Sequence, residues 1–394
     1  MMSELERLEE LLRIHREKKR KRLIKISKIA AICLFLIIGI GIGIYNVNGG
    51  SLFPKKPPTV TEPTTITQVS ESESPAATAP ETETEKSVST QITVSLMGDC
   101  TLGMDESFGY GTSLNAYYDI NGADYFFKNV RSILEEDDLS IVNLEGPLTT
   151  STDKQQRQFA FKGAPEYVDI LTAGSIEAAN LANNHSQDYG ESGFSETKEV
   201  LDKANITHFG YDETAIIEIK GIKIGLVGIY ELADHLERTQ QLKDTIAQVK
   251  ADGADLTIVS FHWGNELETI PDYHQMTLGK LAIDEGADLV VGHHAHVLQG
   301  IEKYRDKQIV YGLGNFCFGG NSSPRDKDTM IFQQTFTFEN GELVLDDQIN
   351  IIPCSISSDP WVNNYQPTPL EGEEAARVLA KIEELTQQIF SSRL

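Results

Sequence analysis

Three histidines follow one apolar run, and their spacing favours a metal site. Residues 289–291 have the composition of a buried strand and end at Gly292, after which His293, His294 and His296 come within four positions. The chain has nine histidines, so a third of them are concentrated here. Neutral imidazole is the commonest protein ligand for zinc-like ions. On an extended or looped backbone, side chains two positions apart leave on the same side, so we expect His294 and His296 to reach one metal.

Four other strand-like runs also end in polar residues that can bind metal. In open α/β sheets the ligands bind beyond the carboxyl ends of the strands, so loops from separate strands meet at one rim. Carboxylate, amide and imidazole groups together suit Zn, Mn or Fe(II) and are too rich in nitrogen for a calcium cage. We expect one or two divalent ions of this class. The residues at these strand ends are Asp99, Glu145, Asn184 with His185, and His262.

Each of these residues also has an ordinary structural interpretation. Asp99 could cap a turn, and Asn184 with His185 could form a turn that hydrogen-bonds its own backbone. His262 could be a satisfied core residue, and Glu145 could be solvated. Their shared position at strand ends favours the metal site over all four alternatives together.

Elements that could position these residues extend from Gln91 to about Ile352. Short β-rich runs alternate there with amphipathic helical patterns, which is typical of an α/β fold. The predicted strands cover residues 91–97, 139–142, 176–181, 223–229, 256–261, 289–291, 308–316, 330–338 and 342–352, and the predicted helices cover about 123–136, 190–204, 272–285 and 371–390.

The amino-terminal part has the pattern of a membrane anchor. Residues 29–45 are apolar, and with the apolar positions just before them they are long enough to cross a bilayer. The basic cluster 18–22 precedes them, so the positive-inside rule places the N-terminus in the cytoplasm and the rest outside. A cleaved signal peptide is the alternative, and an uncleaved single-pass anchor is favoured because the apolar run is long and no good cleavage site follows.

Composition divides the chain into five predicted segments. Residues 46–90 are rich in Pro, Thr, Ser and Glu, and such a sequence cannot bury enough apolar surface to fold, so it should be a disordered linker. The segments are a basic cytoplasmic segment (1–28), a transmembrane helix (29–45), the linker (46–90), a metal-binding domain (91–355) and a C-terminal helical extension (356–394).

Charge and cysteine content limit the function classes. The net charge of −25 argues against nucleic-acid binding, because an acidic domain repels the phosphate backbone. Cys100, Cys317 and Cys354 lie outside the predicted membrane helix. A disulfide is conceivable in an extracytoplasmic domain, but the sequence does not indicate which pair would form it.

The ordered motifs resemble those of the CapA family of capsule and poly-γ-glutamate biosynthesis, within the calcineurin-like metallophosphoesterase superfamily. The resemblance covers roughly residues 91–355. It implies an α/β fold built as a β-sandwich flanked by helices, preceded by one transmembrane helix, with a metal centre at the sheet rim. The motifs are Gly98-Asp99, Asn143-Leu144-Glu145-Gly146-Pro147-Leu148, Asn183-Asn184-His185, His262-Trp263-Gly264 and Gly292-His293-His294-Ala295-His296.

The resemblance also implies roles for individual residues. Asp99 and His296 would hold one metal, and Glu145 would bridge to the second. The second metal would be held by Asn184, His262 and His294, and His185 would be the catalytic acid. Two departures from the superfamily would weaken the first site: Asp99 is followed by Cys100-Thr101 where the superfamily has Asp-x-His, and the bridging residue is Glu145 where the superfamily has Asp.

Two functions from different classes follow. In the first, the chain is a membrane-anchored extracytoplasmic CapA-type protein of capsule or poly-γ-glutamate biosynthesis and export, which works with other membrane components. In the second, it is a metal-dependent hydrolase, a phosphoesterase, of an extracellular substrate unrelated to capsule. The expected partner is an anionic polymer or a phosphoester, and catalysis is left open. An acidic domain would need its metals or a local basic patch to hold a polyanion, and Lys154, Arg157 and Lys162 are the candidates.

Overall fold

Two β-sheets organise residues 89–391, the part of the chain that the computed structural model describes; the side chains of residues 345–347 are excepted. The predicted cytoplasmic segment and membrane helix, and the predicted linker up to residue 88, lie outside the described residues. The strands, numbered in chain order, are β1 (Ser89–Thr101), β2 (Met104–Asp105), β3 (Leu139–Leu144), β4 (Phe161–Lys162), β5 (Ala178–Asn180), β6 (Thr207–Phe209), β7 (Ala215–Ile219), β8 (Ile222–Tyr230), β9 (Leu256–His262), β10 (Leu289–His293), β11 (Ile301–Tyr304), β12 (Lys307–Val310), β13 (Asn315–Phe318), β14 (Asp328–Glu339), β15 (Glu342–Ser355) and β16 (Thr368–Pro369).

Seven α-helices and four short 3-10 turns connect the described strands. The α-helices are α1 (Leu114–Asn121), α2 (Arg131–Leu134), α3 (Val168–Ala173), α4 (Gly190–Lys203), α5 (Thr239–Ala251), α6 (Tyr273–Glu285) and α7 (Gly372–Ser391). The 3-10 turns are Tyr110–Thr112, Ala123–Tyr125, Pro165–Tyr167 and His235–Arg238.

Both sheets combine parallel and antiparallel pairs. The first has the order β16-β15-β14-β1-β3-β5-β6, and β13 also pairs with β1. The second has the order β11-β12-β10-β9-β8-β7, and β2 and β4 form a separate pair. Strands β1, β3, β5 and β6 run parallel to one another, as do β8, β9, β10 and β12, so each sheet has one edge where carboxyl ends of strands collect.

The core has three layers of apolar packing. One cluster lies between the sheets and joins residues such as Val94 and Ile141 of the first sheet to Leu226 and Ile258 of the second. A second cluster joins the outer face of the first sheet to α1 to α4, and a third joins the outer face of the second sheet to α5 and α6. The predicted α/β class is confirmed, and the two sheets lie face to face with helices outside them.

Most predicted elements correspond to observed ones, with two corrections. The single predicted strand 308–316 is wrong: β12 and β13 belong to different sheets, and Leu313 between them is buried where the chain crosses from one sheet to the other. The single predicted helix 123–136 is also wrong, since this stretch forms the 3-10 turn Ala123–Tyr125 and the one-turn helix α2.

Strand β1 changes partners at Gly98. On one side, residues Ser89 to Leu96 pair antiparallel with β14, and from Asp99 onward this side pairs with β13 in parallel. On the other side β1 pairs with β3 in parallel both before and after Gly98, across an irregularity in register. The Asp99 amide donates to the carbonyl of Gly314 at 3.0 Å. A Cβ on Gly98 would overlap that carbonyl, so only glycine allows this close approach.

Helix α7 packs along the open side of the sandwich. Its residues Val378, Ile382 and Leu385 join the cluster between the sheets. Across the same helix, Arg377 and Lys381 form ion pairs with Asp328 at 2.7 Å and 2.9 Å. Among residues 89–391, no helix is long and apolar enough to cross a membrane.

Shortening Ile382 should destabilise the fold. Ile382→Ala removes a side chain that is 3% exposed, and we expect the free energy of unfolding to fall by about 2–4 kcal/mol. Leu379→Ala on the same helix is the matched control, because Leu379 is 41% exposed and its loss should cost well under 1 kcal/mol. Chemical unfolding of the two variants and the wild type measures the difference; equal costs would contradict the position of α7.

Candidate metal centre and its cleft

The six predicted metal ligands lie together at the rim where the two sheets meet. Asp99 comes from β1, Glu145 and Asn184 follow β3 and β5, His262 ends β9, and the remaining two histidines follow β10. His262 Nε2 is 2.7 Å from Asn184 Oδ1 and 3.6 Å from Glu145 Oε1. His296 Nδ1 is 3.2 Å from Asp99 Oδ2, and its Nε2 is 4.0 Å from Glu145 Oε1. The strand-end prediction thus gives the observed grouping, although the rim is formed by two sheets and not by one.

His294 and His296 converge through a looped backbone. Both are in the left-handed region, with φ of 89° and 56°, which residues other than glycine rarely adopt. The His294 amide donates to Asp99 Oδ2 at 3.2 Å, and this bond ties the loop after β10 to β1. The His294 ring lies 4.8 Å from that of His262 and 5.7 Å from that of His296, centroid to centroid. Such strain is typical of a functional site that the surrounding structure holds in place.

Unsatisfied buried atoms indicate that this donor set fits a metal. Among the described residues, Glu145 Oε1 and His294 Nδ1 are buried and have no hydrogen-bond partner. Leaving such atoms unpaired costs about 1–3 kcal/mol each, more for a charged group. Donor atoms of Glu145, His294 and His296 all lie within 4.8 Å of one another, which is close enough for divalent cations to bind among them. The mixed oxygen and nitrogen donors suit a transition metal.

Burial and mutual charge divide the ligands into two electrostatic groups. Burial lowers the pKa of His294 to about 4 and that of His262 well below its ordinary value, with the neighbouring imidazoles adding to the shift. Burial opposes the charge on His296, but the adjacent Glu145 and Asp99 raise its pKa to about 10. His262 and His294 are therefore neutral at pH 7, with lone pairs available to a metal, whereas His296 must lose a proton when a metal binds.

The pKa values of the two carboxylates, Glu145 and Asp99, are also shifted in opposite directions. Burial, followed by the charge of Asp99, raises the pKa of Glu145 to about 7. Burial would also raise the pKa of Asp99, but hydrogen bonds from His293 and His296 hold it well below its ordinary value. Asp99 is thus the fixed anion of the centre, and a cation at the site would favour the charged form of Glu145.

Thr101 occupies the position two residues after Asp99, beside the centre. Cys100 and Thr101 leave opposite faces of β1, so Thr101 shares the face of Asp99, and its Oγ1 lies 3.5 Å from Glu145 Oε2. Cys100 is buried in the apolar core, where desolvation raises the pKa of its thiol to about 12. Among the described residues, Cys100, Cys317 and Cys354 are all free thiols.

Three residues behind the ligands contact them through their side chains, and none of the three was predicted to be a site residue. Asn143 donates to Asp99 Oδ1 at 2.8 Å and lies 3.3 Å from His262 Nδ1, so it bridges two ligands. Asn315, at the start of β13, lies 2.9 Å from His296 Nδ1. His293 Nδ1 is 3.5 Å from Asp99 Oδ1. Asn143 and His293 lie near the ends of strands and within two positions of a predicted ligand, which is the signal that could have identified them, whereas Asn315 begins β13 and carries no such signal.

His185 is held beside the centre by Asp188. Its Nδ1 is 2.7 Å from Asp188 Oδ2, and its side chain is 12% exposed. Asp188 is itself fixed by Arg157 at 2.6 Å and by the Phe161 amide at 2.7 Å. With Nδ1 engaged, Nε2 is the atom of His185 that can exchange a proton. Asp188 and this pairing are absent from the sequence prediction.

A cleft of about 260 Å³ opens beside these residues. His185, Glu266 and His296 form its polar wall, and the rings of Phe159, Phe161 and Phe318 line its apolar side. The position of His185 and His296 in one wall means that a molecule in the cleft contacts both the metal centre and the proton-exchanging residue.

The three basic side chains of the predicted patch pair with other groups of the domain, and a different basic residue lines the cleft. Lys154 pairs with Asp105 at 3.4 Å, Lys162 donates to the Ser151 carbonyl at 3.0 Å, and Arg157 holds Asp188 and the Asn184 carbonyl. Arg325 is exposed, lines the cleft and has no ion pair with any described residue. The sequence alone does not indicate that Arg325 lies at this cleft, because it is more than 100 positions from the three lysine and arginine candidates.

Two curated relatives agree with the motif resemblance. "Capsule biosynthesis protein CapA" of Bacillus anthracis is 29% identical over 293 residues, which are 68% of this chain and 68% of that protein. "PGA biosynthesis protein CapA" of Bacillus subtilis is 30% identical over 235 residues, which are 54% of this chain and 61% of that protein. Among solved structures, a 5'-nucleotidase from Candida albicans covers 76% of this chain and 57% of its own, with 11% identity and a TM-score of 0.40.

The family assignment follows from the match to a family model. Residues 93–320, more than half of the chain, match the model described as "Bacterial capsule synthesis protein PGA_cap". This range contains all six candidate ligands, His185 and its partner Asp188. The chain belongs to the PGA_cap family of bacterial capsule synthesis proteins.

Proposed function

We propose that this chain is a membrane-anchored extracytoplasmic CapA-type protein of capsule or poly-γ-glutamate biosynthesis and export, with a calcineurin-like metallophosphoesterase centre. One observation carries this proposal: six metal-binding side chains from five strands meet at one rim, beside a cleft that also contains His185. The two Bacillus relatives, which are named for capsule and PGA biosynthesis, supply the biological context.

The ligands divide into two sets around Glu145. Asp99 and His296 would hold one divalent ion, Asn184, His262 and His294 would hold the other, and Glu145 would contact both. Mn, Zn or Fe would supply Lewis-acid chemistry that polarises a scissile bond and activates water at neutral pH. Thr101 offers a weaker ligand than the histidine of the superfamily, so the set with Asp99 would bind its ion less tightly.

His185 would transfer a proton to the leaving group. Its Nδ1 is engaged by Asp188, so Nε2 would donate to the leaving group as a general acid. This same pair supports the second candidate, a metal-dependent phosphoesterase acting on an extracellular substrate unrelated to capsule, because a positioned acid serves bond cleavage and is not needed for holding a chain.

The cleft would bind an anionic chain through Arg325 and the metals. A polyglutamate segment is anionic, and the protein's net charge of −25 repels it everywhere except near such local cations. Phe159 and Phe161 in the cleft wall would pack against the methylene groups of the polymer backbone.

Arg325→Ala should weaken binding of poly-γ-glutamate. Loss of one charge-assisted contact at an exposed site corresponds to about 3–10-fold in affinity, and the effect should shrink as salt increases. Fluorescence anisotropy with labelled polymer at two salt concentrations measures it. Arg305→Ala is the matched control, because Arg305 is exposed and pairs with Asp284, away from the cleft. Equal affinity of both variants and the wild type would argue against polymer binding here.

The membrane placement of this proposal rests on residues 18–45 and has its own test. Protease added to intact, wall-stripped cells should remove the globular part, because residues 46–394 would lie outside. A protected globular part would contradict the proposed orientation and leave the metal centre unaffected.

A further inference from the structure

A second group of metal-binding side chains lies outside the centre described above. Glu231, directly after β8, is 1% exposed, and its Oε1 lies 2.6 Å from His235 Nδ1. The ring of His235 stacks on that of His274 with 4.2 Å between centroids and 14° between planes. Donor atoms of these three residues all lie within 4.8 Å of one another.

The backbone holds these three side chains in place from separate elements. Glu231 receives the Gly264 amide at Oε2 (3.4 Å), and its own amide donates to the His262 carbonyl at 3.0 Å. His235 opens the 3-10 turn His235–Arg238 in the left-handed region, with φ of 46°. His274 lies in the first turn of α6, which the Asp272–Gln275 capping box fixes.

We infer that Glu231, His235 and His274 form a second binding site for a divalent transition metal, of which zinc is the best match. Two imidazoles and one carboxylate are an established zinc ligand set, with the remaining position open to solvent. The side chains of His235 and His274 are 48% and 34% exposed, so an ion can enter from solvent. Asp272 Oδ1, which accepts from the Gln275 amide, lies 4.0 Å from His274 Nδ1, so a carboxylate is near this side of the site.

Ion binding would adjust the spacing of the donor atoms, which lie within 4.8 Å of one another. Ligand atoms on one tetrahedral zinc lie roughly 3.3 Å apart, so Glu231 Oε1 and His235 Nδ1 would separate by several tenths of an ångström as the ion replaces the proton between them. Both residues lie in the segment between β8 and α5, outside any strand or α-helix. Because Glu231 bonds the backbone of His262 and Gly264, the ion would also hold the loop that carries one ligand of the first centre.

Zinc binding to the full-length, chelator-stripped chain tests this inference. The first step uses a background in which His294→Ala and His296→Ala remove two donors of the first centre. We expect this background to retain one equivalent of zinc in titration calorimetry and in elemental analysis after gel filtration. Adding His235→Ala or His274→Ala should remove that equivalent. Zinc binding that is unchanged by either substitution, or a background without zinc, would overturn the inference.

Matched controls separate metal loss from misfolding. His208→Ala removes a partly buried histidine that is 3.2 Å from Asp202, outside both groups, and should leave the zinc equivalent intact. In the otherwise wild-type chain, His235→Ala and the separate variant Glu231→Gln should each lower total zinc by one equivalent, while thermal unfolding of the metal-free variants stays within a few degrees of the wild type. Zinc should raise the unfolding temperature of the background and not that of the background with His274→Ala; equal responses would contradict the site. None of these readouts depends on polymer binding or on catalysis.

Discussion

His294→Ala is expected to abolish most metal binding at the first centre. The substitution removes a direct donor whose Nδ1 is buried without a partner among the described residues, so no other group can replace it. Loss of an outer residue that orients a ligand typically costs 10–100-fold in metal affinity, and loss of the ligand itself should exceed that. Elemental analysis of the purified chain, after stripping and refilling with Mn or Zn, measures the effect.

Asn315→Ala provides the graded comparison for this experiment. Asn315 contacts His296 at 2.9 Å and is placed behind the ligand, so its loss should fall within the 10–100-fold range. The second zinc site contributes its own equivalent, so both variants are best compared in a His235→Ala background. If the His235→Ala chain, with its first centre otherwise unchanged, contains well below one metal ion per chain, the first centre is refuted.

His185→Ala is expected to keep the metal and lose function. Removal of a positioned general acid typically costs ~10²–10⁴ in rate, and His185 contributes to the cleft wall without being one of the six ligands. Turnover of a generic phosphodiester by the metal-loaded chain and polymer production in a complemented deletion strain are the two readouts. His208→Ala is the control for loss of a histidine elsewhere.

The outcomes for His185 distinguish the two proposed functions. Loss of both readouts supports cleavage as part of polymer production. Loss of phosphodiester turnover with normal polymer production favours the hydrolase with an unrelated substrate. Full activity in both assays removes the catalytic role, and loss of metal would make His185 itself a ligand.

The candidate ligands could be predicted because parallel strands share a carboxyl edge. Asp99 and Glu145 come at the ends of apolar runs that form neighbouring parallel strands, so the sequence pattern predicts that they meet. His262 ends a strand of the other sheet, and its approach to them depends on how the two sheets pack. The division into two sheets was harder to predict, because an apolar run shows that a strand is buried but not which sheet it joins. The stretch 308–316 illustrates this: it is predicted as one strand, yet Gly312 and Gly314 lie where the chain leaves β12 and enters β13 of the other sheet.

Contacts between side chains that are far apart in the sequence also could not be predicted. Asp188 follows His185 by three positions, but only the fold reveals that Arg157 and Phe161 hold it. Glu231, His235 and His274 were missed for a similar reason. His274 lies in a helix whose amphipathic pattern draws attention to its buried face, and the pattern carries no sign of a neighbour 39 positions earlier.

The change of partners in β1 constrains the order in which this protein can assemble. Its first half pairs with β14, and that pairing joins Ser89 to Glu339, a separation of 250 positions. Contacts at such sequence distance form slowly, because the loop-closure entropy must be overcome before the pairing stabilises anything. During vectorial synthesis, Asp99 would be made early, yet the strand that borders it on one side would emerge only after most of the domain. Asp99 itself pairs with β13 and not with β14, and β13 (Asn315–Phe318) is also made late, so we expect metal acquisition to be a late event.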